Sequence, residues 1–280
     1  MGRKKILLLC GCVVFVVLTA AFGLRWRQSA GEEVPILLYH HIDEEGEGNS
    51  CIQTKNFLAH LDALAQAGYS TVSPMQLIDY VQRGTELPDK PILITFDDGY
   101  RSNYEIAYPA LVQRGMKATI FMIGVSAGKD TYKDTGKPMI PHFSYEQPKE
   151  MVDSGLISVL SHTYDLHQYG PLEPDGGRNG MLPMDAEPQK RYLQVLREDL
   201  EKSILETAQK TGEPVTALAY PVGLYNDEID QVCDEVGLVA TFTIEPHPAV
   251  LRRGHPESLR RMGRYYIDDI SAEELLKLIE

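Results

Sequence analysis

Tryptophan is almost missing from this chain, with Trp26 the single one, and cysteine is scarce, with four residues. Cys10 and Cys12 lie inside an apolar run, so only Cys51 and Cys233 remain for the rest of the chain. That excludes a disulfide-built scaffold. A Cys51–Cys233 bridge is open in an oxidising compartment, but two unpaired, partly buried thiols are the simpler expectation. Positive charge is also in short supply: 27 Lys and Arg against 40 Asp and Glu give −13 at pH 7. No basic block appears outside the extreme N-terminus, so a grip on a phosphate backbone is excluded and nucleic acid is not an expected partner. What is present is ordinary for a globular chain, with 43% hydrophobic and 24% charged residues. A length of 280 residues allows one large domain or two small ones.

Arg3, Lys4 and Lys5 precede an uncharged run from Ile6 to Leu24, and Arg25 and Arg27 follow it. Those 19 residues, at ~1.5 Å per helical residue, come close to crossing a hydrocarbon core of ~30 Å. The run fits a signal anchor or a signal peptide, and its length favours the uncleaved anchor. The cations at its start stay in the cytoplasm, so the remainder is expected outside, anchored to the cell membrane or secreted if 1–24 is cleaved. Residues 25–33 read as a linker, and residues 34–280 as one domain without internal repeats.

Within that domain short apolar runs alternate with helical patterns. Candidate strands are Ile36–Tyr39, Ile92–Phe96, Ala118–Ile123, Ile157–Leu160, Val215–Tyr220 and Val239–Thr243. Phe57, Leu58, Leu61, Leu64 and Ala65 share one helical face, and Tyr192, Leu193, Leu196, Leu200, Ile204 and Leu205 another. Ser271 and Glu274 predict a capping box at the start of a final helix. This alternation predicts an α/β fold, a parallel sheet covered by helices, open or closed into a barrel. Gly128–Pro141 and Gly170–Pro188 fit no element and read as long surface loops of the kind that often carry function.

Polar residues cluster where strands end. Ile36–Tyr39 is followed by His40 and His41, and Ile92–Phe96 by Asp97, Asp98 and Gly99. Ile157–Leu160 is followed, after Ser161, by His162 and His167, and the strand ending at Tyr220 by Pro221, Val222 and Gly223. The C-terminal ends of parallel barrel strands share one face, so these groups can converge. Two adjacent carboxylates at a buried strand end repel each other and are costly to desolvate. A divalent cation removes the objection, with one Asp as ligand and the other free as a base; an Asp-Asp-Gly turn is the structural alternative. Asp98 with His162 and His167 makes two nitrogens and one oxygen with room for water, the donor set of a catalytic zinc site. His60, His247 and His255 read as structural or exposed histidines, and His142 is open.

These residues carry a resemblance to the polysaccharide deacetylase family with the NodB homology domain, carbohydrate esterase family 4. Thr95-Phe96-Asp97-Asp98-Gly99 matches its first motif without a mismatch. Ser161–His167 resembles the second and Ala219-Tyr220-Pro221-Val222-Gly223 the third, and the likeness covers most of 34–280. There are departures. The histidines of the second motif are five apart rather than four, and Ala219 stands where the third motif carries an Arg. The Trp-containing fourth motif and the C-terminal Leu-x-His are missing. Tyr39-His40-His41 lies upstream instead, which resembles the branch of exported poly-β-1,6-N-acetylglucosamine deacetylases.

The resemblance implies a distorted, incomplete (β/α) barrel behind one N-terminal hydrophobic helix. It implies metal-dependent hydrolysis of N-acetyl groups from an N-acetylglucosamine polysaccharide. The metal is Zn²⁺ by preference, with Co²⁺ or Ni²⁺ as alternatives, held by Asp98, His162 and His167. Asp97 is the expected base and His40 the acid that protonates the departing amine. Tyr220, Pro221, Val222, Gly223 and Arg264 are candidates for binding substrate or the oxyanion, with Arg264 or Arg261 also able to replace the motif Arg. Tyr100, Tyr164 and Tyr225 are candidates for stacking on sugar rings. A β-1,4 glycan (peptidoglycan or chitin-like) is the alternative substrate, and a glycan-binding domain without catalysis the alternative function.

Overall fold

The computed structural model describes residues 31–46, 48 and 50–280. The hydrophobic helix expected over 1–24 lies outside the described residues. Among the described residues no helix is long and apolar enough to cross a membrane. The chain runs β1 (Glu32–Val34), β2 (Ile36–Tyr39), β3 (His41–Asp43), β4 (Cys51–Gln53), α1 (Thr54–Gln66), β5 (Ser70–Thr71), α2 (Pro74–Arg83) and β6 (Pro91–Phe96). It continues through α3 (Tyr108–Arg114), β7 (Ala118–Met122), α4 (Gln147–Asp153), β8 (Ile157–Ser161), α5 (Gln189–Thr211) and β9 (Ala217–Ala219). It ends with α6 (Asp227–Glu235), β10 (Ala240–Phe242), β11 (Ala249–Leu251), β12 (Tyr265–Tyr266) and α7 (Ala272–Ile279).

Eight strands form one parallel sheet in the order β10-β9-β8-β7-β6-β2-β12, with β5 pairing β6 off that path. The sheet curls until its edges meet. Phe242 at one edge bridges Met262, just ahead of β12 at the other, and Thr243 N–H donates to Met262 O at 2.8 Å. The outcome is the incomplete (β/α) barrel that the family resemblance implies, closed by a short bridge instead of a full ladder. All six residues of β6 are buried, as a strand covered on both faces requires. The six predicted strands are all found, within one to two residues at their ends.

Helix ends follow local chemistry. Ser73 and Gln76 form a capping box at α2, with Pro74 next and Gly84 in the left-handed conformation at its end. The Ser271–Glu274 box opens α7 as predicted. Phe57, Leu61 and Leu64 of α1 and Tyr192, Leu196 and Leu200 of α5 are buried. Ala65 and Leu205 are exposed, the far ends of faces drawn one residue too wide. The domain also starts earlier than residue 34. Glu32 and Glu33, placed in the linker by their polarity, pair with Leu251 and Val250 in an antiparallel edge ladder. Exposed edge strands tolerate charge, so composition alone does not separate them from a linker.

Candidate active site

Register brings the polar residues together. Tyr39 pairs with Phe96, and Asp97 N–H donates to Tyr39 O at 2.9 Å, so His40 and Asp97 leave adjacent strands side by side. Met122 pairs with Ser161, and His162 N–H donates to Met122 O at 2.9 Å. Asp98 N–H and carbonyl turn sharply, at φ +70°, and Gly99 follows at φ +80°. A left-handed Asp is uncommon and costs energy that the surroundings must repay. At Gly99 a Cβ would also lie 3.0 Å from Met122 Cβ, so glycine is required there twice over.

Asp98, His162 and His167 converge, with one potential ligand atom from each lying within 4.8 Å of the others. Asp98 Oδ1 is 3.5 Å from His162 Nε2 and 3.7 Å from His167 Nε2. Donors ~2.0–2.1 Å from a tetrahedral zinc lie about 3.3 Å apart, so these spacings are close to those of a zinc site. His162 Nδ1–H donates to Ala219 O at 2.8 Å, which leaves the Nε2 lone pair facing Asp98. Tyr100 hydrogen-bonds the Asp98 carboxylate, yet Asp98 Oδ1 is buried with no hydrogen-bond partner. A buried carboxylate oxygen without a partner, facing two imidazole nitrogens, fits a divalent cation. Burial lowers the His162 pKa to about 4, against the pull of Asp97 and Asp98, so the ring is neutral as a ligand must be. For Asp98 burial acts upward, but His167, His40 and His162 together hold its pKa well below the usual carboxylate range.

Asp97 is finished differently. Arg264, fully buried, donates Nη1 to Oδ1 and Nη2 to Oδ2, both at 2.7 Å. The guanidinium is itself held by Thr243 O at 2.8 Å from Nε and by Thr95 Oγ1 at 3.3 Å. Burial pushes the Asp97 carboxyl upward, and Arg264 and His162 overcome it, so the net direction is down. Arg264 thus occupies the role left open by Ala219, supplied by the segment that closes the barrel. Its side chain is fully enclosed and faces Asp97, not the cleft. Arg261 lies elsewhere, paired with Asp230 at 2.6 Å and Asp227 at 2.5 Å.

His40 faces both carboxylates electrostatically, and its Nδ1 is buried without a partner. Its carbonyl accepts from Asn103 Nδ2 at 2.7 Å, and its ring lies 5.2 Å from that of Tyr266. The third-motif segment is only partly at the site. Tyr220 is buried, its hydroxyl donating to Asp230 and its N–H to Phe242 O. Its hydroxyl is therefore engaged within the fold and not offered to the cleft. Pro221 has no N–H, and the Gly223 N–H donates to Tyr220 O at 2.9 Å. Val222, at φ +51° and 46% exposed, is the most open of the four.

Of the two long loops the first lines the site, whereas the second opens with a 3-10 turn at Gly170–Leu172 and packs Arg178 and Met181 inward. A cleft beside Asp98 and His167 is walled by Tyr132, Met139 and Ile140 from the first loop and Tyr169 just ahead of the second. Tyr100 lines the same cleft, whereas the Tyr164 ring lies under Lys202 and the Tyr225 ring against Arg261. Sequence reasoning missed Asp199. Its carboxylate accepts the N–H of Tyr164 at 2.8 Å and of Asp165 at 2.7 Å, clamping the loop between the two histidines. Burial pushes the Asp199 carboxyl up to about 6 despite those two donors. The signal was present: a charge at 199 interrupts the buried stripe of Leu196, Leu200 and Ser203 on α5.

The fold and site define a polysaccharide deacetylase domain of the NodB type. Residues 84–241 match the polysaccharide deacetylase family model, and the chain belongs to that family. It is 34% identical over 223 residues to YxkH of Bacillus subtilis (strain 168), named for the same family, covering 79% of this chain and 68% of that one. It is 28% identical over 198 residues to the poly-β-1,6-N-acetyl-D-glucosamine N-deacetylase of Staphylococcus aureus (strain MSSA476), covering 71% of this chain and 61% of that one. Among solved structures it is similar to IcaB from Ammonifex degensii, at 28% identity and a TM-score of 0.71 over 89% of this chain and 97% of that one.

Proposed function

We propose that this protein removes N-acetyl groups from poly-β-1,6-N-acetylglucosamine outside the cytoplasm, using a divalent metal held by Asp98, His162 and His167. The orphaned, buried Asp98 Oδ1 facing two imidazole nitrogens carries this reading. The Staphylococcus aureus relative supports the choice of glycan, and the apolar run of 1–24 supports export with the domain left outside. A cation at that site, Zn²⁺ by its donor set, supplies Lewis-acid polarisation of the acetamide carbonyl and acidifies a water.

The chain's own residues do the rest. Asp97, oriented by Arg264 and held ionised, accepts the proton of the attacking water. The Val222 N–H donates to the oxyanion that forms on the former carbonyl oxygen. His40 gives its proton to the sugar nitrogen as the C–N bond breaks, because an amide anion is too basic to leave unprotonated. Tyr132 and Tyr169 offer ring faces to the sugars on either side of the reacting unit.

The test is free-amine release by the full-length chain from β-1,6-linked N-acetylglucosamine oligomers, with Zn²⁺, Co²⁺ or Ni²⁺ and with chelator. The expected result is metal-dependent release that chelator abolishes. Release only from β-1,4 oligomers would keep the chemistry and move the substrate to peptidoglycan or chitin-like glycans. Metal bound without release from either series would contradict catalysis and favour a glycan-binding role.

A further inference from the structure

A second group of donors lies outside the rim. His41 and Asp43 of β3 and Cys51 of β4 each offer a potential ligand atom within 4.8 Å of the others. The parallel register places His41 opposite Cys51, and His41 Nε2 is 3.7 Å from Asp43 Oδ2. The Asp43 carboxylate also accepts from the Cys51 thiol, so sulfur, nitrogen and oxygen form one cluster. Along a strand alternate side chains point to opposite faces. His41 and Asp43, two apart on β3, therefore share a face, and His40, between the strands, faces the carboxylates instead.

The surroundings of these three residues are those of a ligand set. His41 Nδ1 lies 2.9 Å from Ser102 Oγ, which also accepts the Ile42 N–H at 3.1 Å. A serine oxygen can accept both bonds. With Nδ1–H donating to it, the ring is fixed and the Nε2 lone pair turns toward Asp43 and Cys51. Cys51 is buried at 4% exposure, but a cleft lined by Gly46, Ser50, Cys51 and Tyr266 reaches it, and the Asp43 side chain is 37% exposed. An ion thus has a route in and a position for water. Thiolate, imidazole and carboxylate together select a borderline-soft, tetrahedral ion over Mg²⁺ or Ca²⁺, which take oxygen donors.

We propose that His41, Asp43 and Cys51 form a second metal site, a Zn²⁺ clip that ties β3 to β4. The inference does not rest on the deacetylase reading, since it shares no ligand with Asp98, His162 and His167. Binding displaces the proton that Cys51 shares with Asp43 and releases it to solvent, leaving a sulfur–metal bond. The clip stiffens the wall beside the rim. Tyr266, against the His40 ring, donates its hydroxyl to Ser50 next to Cys51. His41 lies 5.5 Å, ring to ring, from Tyr100, which bonds Asp98.

The sulfur makes the test specific, because the Asp98 site has none. In the full-length chain with Cys10 and Cys12 replaced by Ser, Co²⁺ binding is followed by absorption. A thiolate-to-cobalt charge-transfer band in the near ultraviolet is expected. It persists in Asp98→Ala and disappears in Cys51→Ser. Zinc content should be two equivalents, falling to one in either variant and to none in the double variant. Zn²⁺ should raise the Tm of Asp98→Ala but not of Asp98→Ala with Cys51→Ser. Should Cys51→Ser fail to fold, His41→Gln makes the same comparison. A single zinc equivalent, or a cobalt spectrum without the band, or a band that survives Cys51→Ser, would overturn the proposal. Loss of deacetylation with two zinc equivalents bound would contradict the catalytic reading and leave this one standing.

Discussion

On the β12 flank of the rim, both oxygens of Asp97 are held by Arg264 at 2.7 Å, and the guanidinium is satisfied in turn. On the β8 flank, one residue along the same chain, Asp98 Oδ1 has no hydrogen-bond partner and faces two histidines. The two carboxylates share strand, burial and sequence context. What separates them is the neighbour that arrives from another part of the chain. A fixed cation of the protein itself holds one ionised and oriented. The other is left open toward His162 and His167. Under the proposed function a bound cation would give the second its own countercharge, which makes two buried negative charges side by side tolerable.

Removing a ligand on the open flank is expected to have the largest effect. Asp98→Ala or His162→Ala should abolish metal at that site and cut turnover by at least about 10³-fold, the equivalent of several kcal/mol. Metal analysis beside amine release checks this. On the closed flank, Asp97→Asn should keep the metal and lose turnover by about 10²–10⁴-fold, the range of a removed general base. If its metal affinity fell together with its activity, the division between the two carboxylates would be broken.

Arg264→Met sharpens the same contrast. It leaves Asp97 buried without its partner, so denaturant melts should show a loss of about 3–5 kcal/mol. Because Arg264 helps to hold the Asp97 pKa down, the acid limb of the pH–rate profile should move to higher pH in the folded fraction. Asp199→Ala acts at one remove, by freeing the Tyr164 and Asp165 N–H groups. It should weaken metal binding about tenfold, as loss of outer support commonly does, without moving that acid limb.

A separate effect is on stability against pH. His162 is held neutral in the fold down to about 4, whereas unfolded it protonates near ~6.5. Between those values the unfolded state binds the extra proton, so stability is present above ~6.5 and is lost as pH falls through the window toward about 4. Tm measured against pH with chelator should show this slope, and His162→Ala should flatten it.

Much of this contrast was legible in the sequence. The buried strands announce themselves as apolar runs, and Asp97, Asp98, His162 and His167 stand where those runs stop. Arg264 was legible as a candidate only because Ala219 broke a motif; its partner lies 167 residues away, and no local pattern reports such a pairing. Tyr220 misled for the same reason. Strand alternation could turn its ring inward or outward, and it is Asp230 on α6 that decides. Short strands such as β3, β4 and β12 carry too few residues for periodicity to register. The His41–Asp43–Cys51 cluster forms across two of them, so it was invisible until the register was known. Asp199 shows the converse, a charge on an otherwise buried helical stripe that a closer reading of α5 would have flagged.

The most direct measurement is zinc content and amine release for Asp97→Asn and Asp98→Asn side by side, both in a Cys51→Ser background so that only the rim site is counted. The account predicts one equivalent of zinc and no turnover for Asp97→Asn, and neither zinc nor turnover for Asp98→Asn. Zinc lost from both, or deacetylation retained by Asp97→Asn, would contradict it.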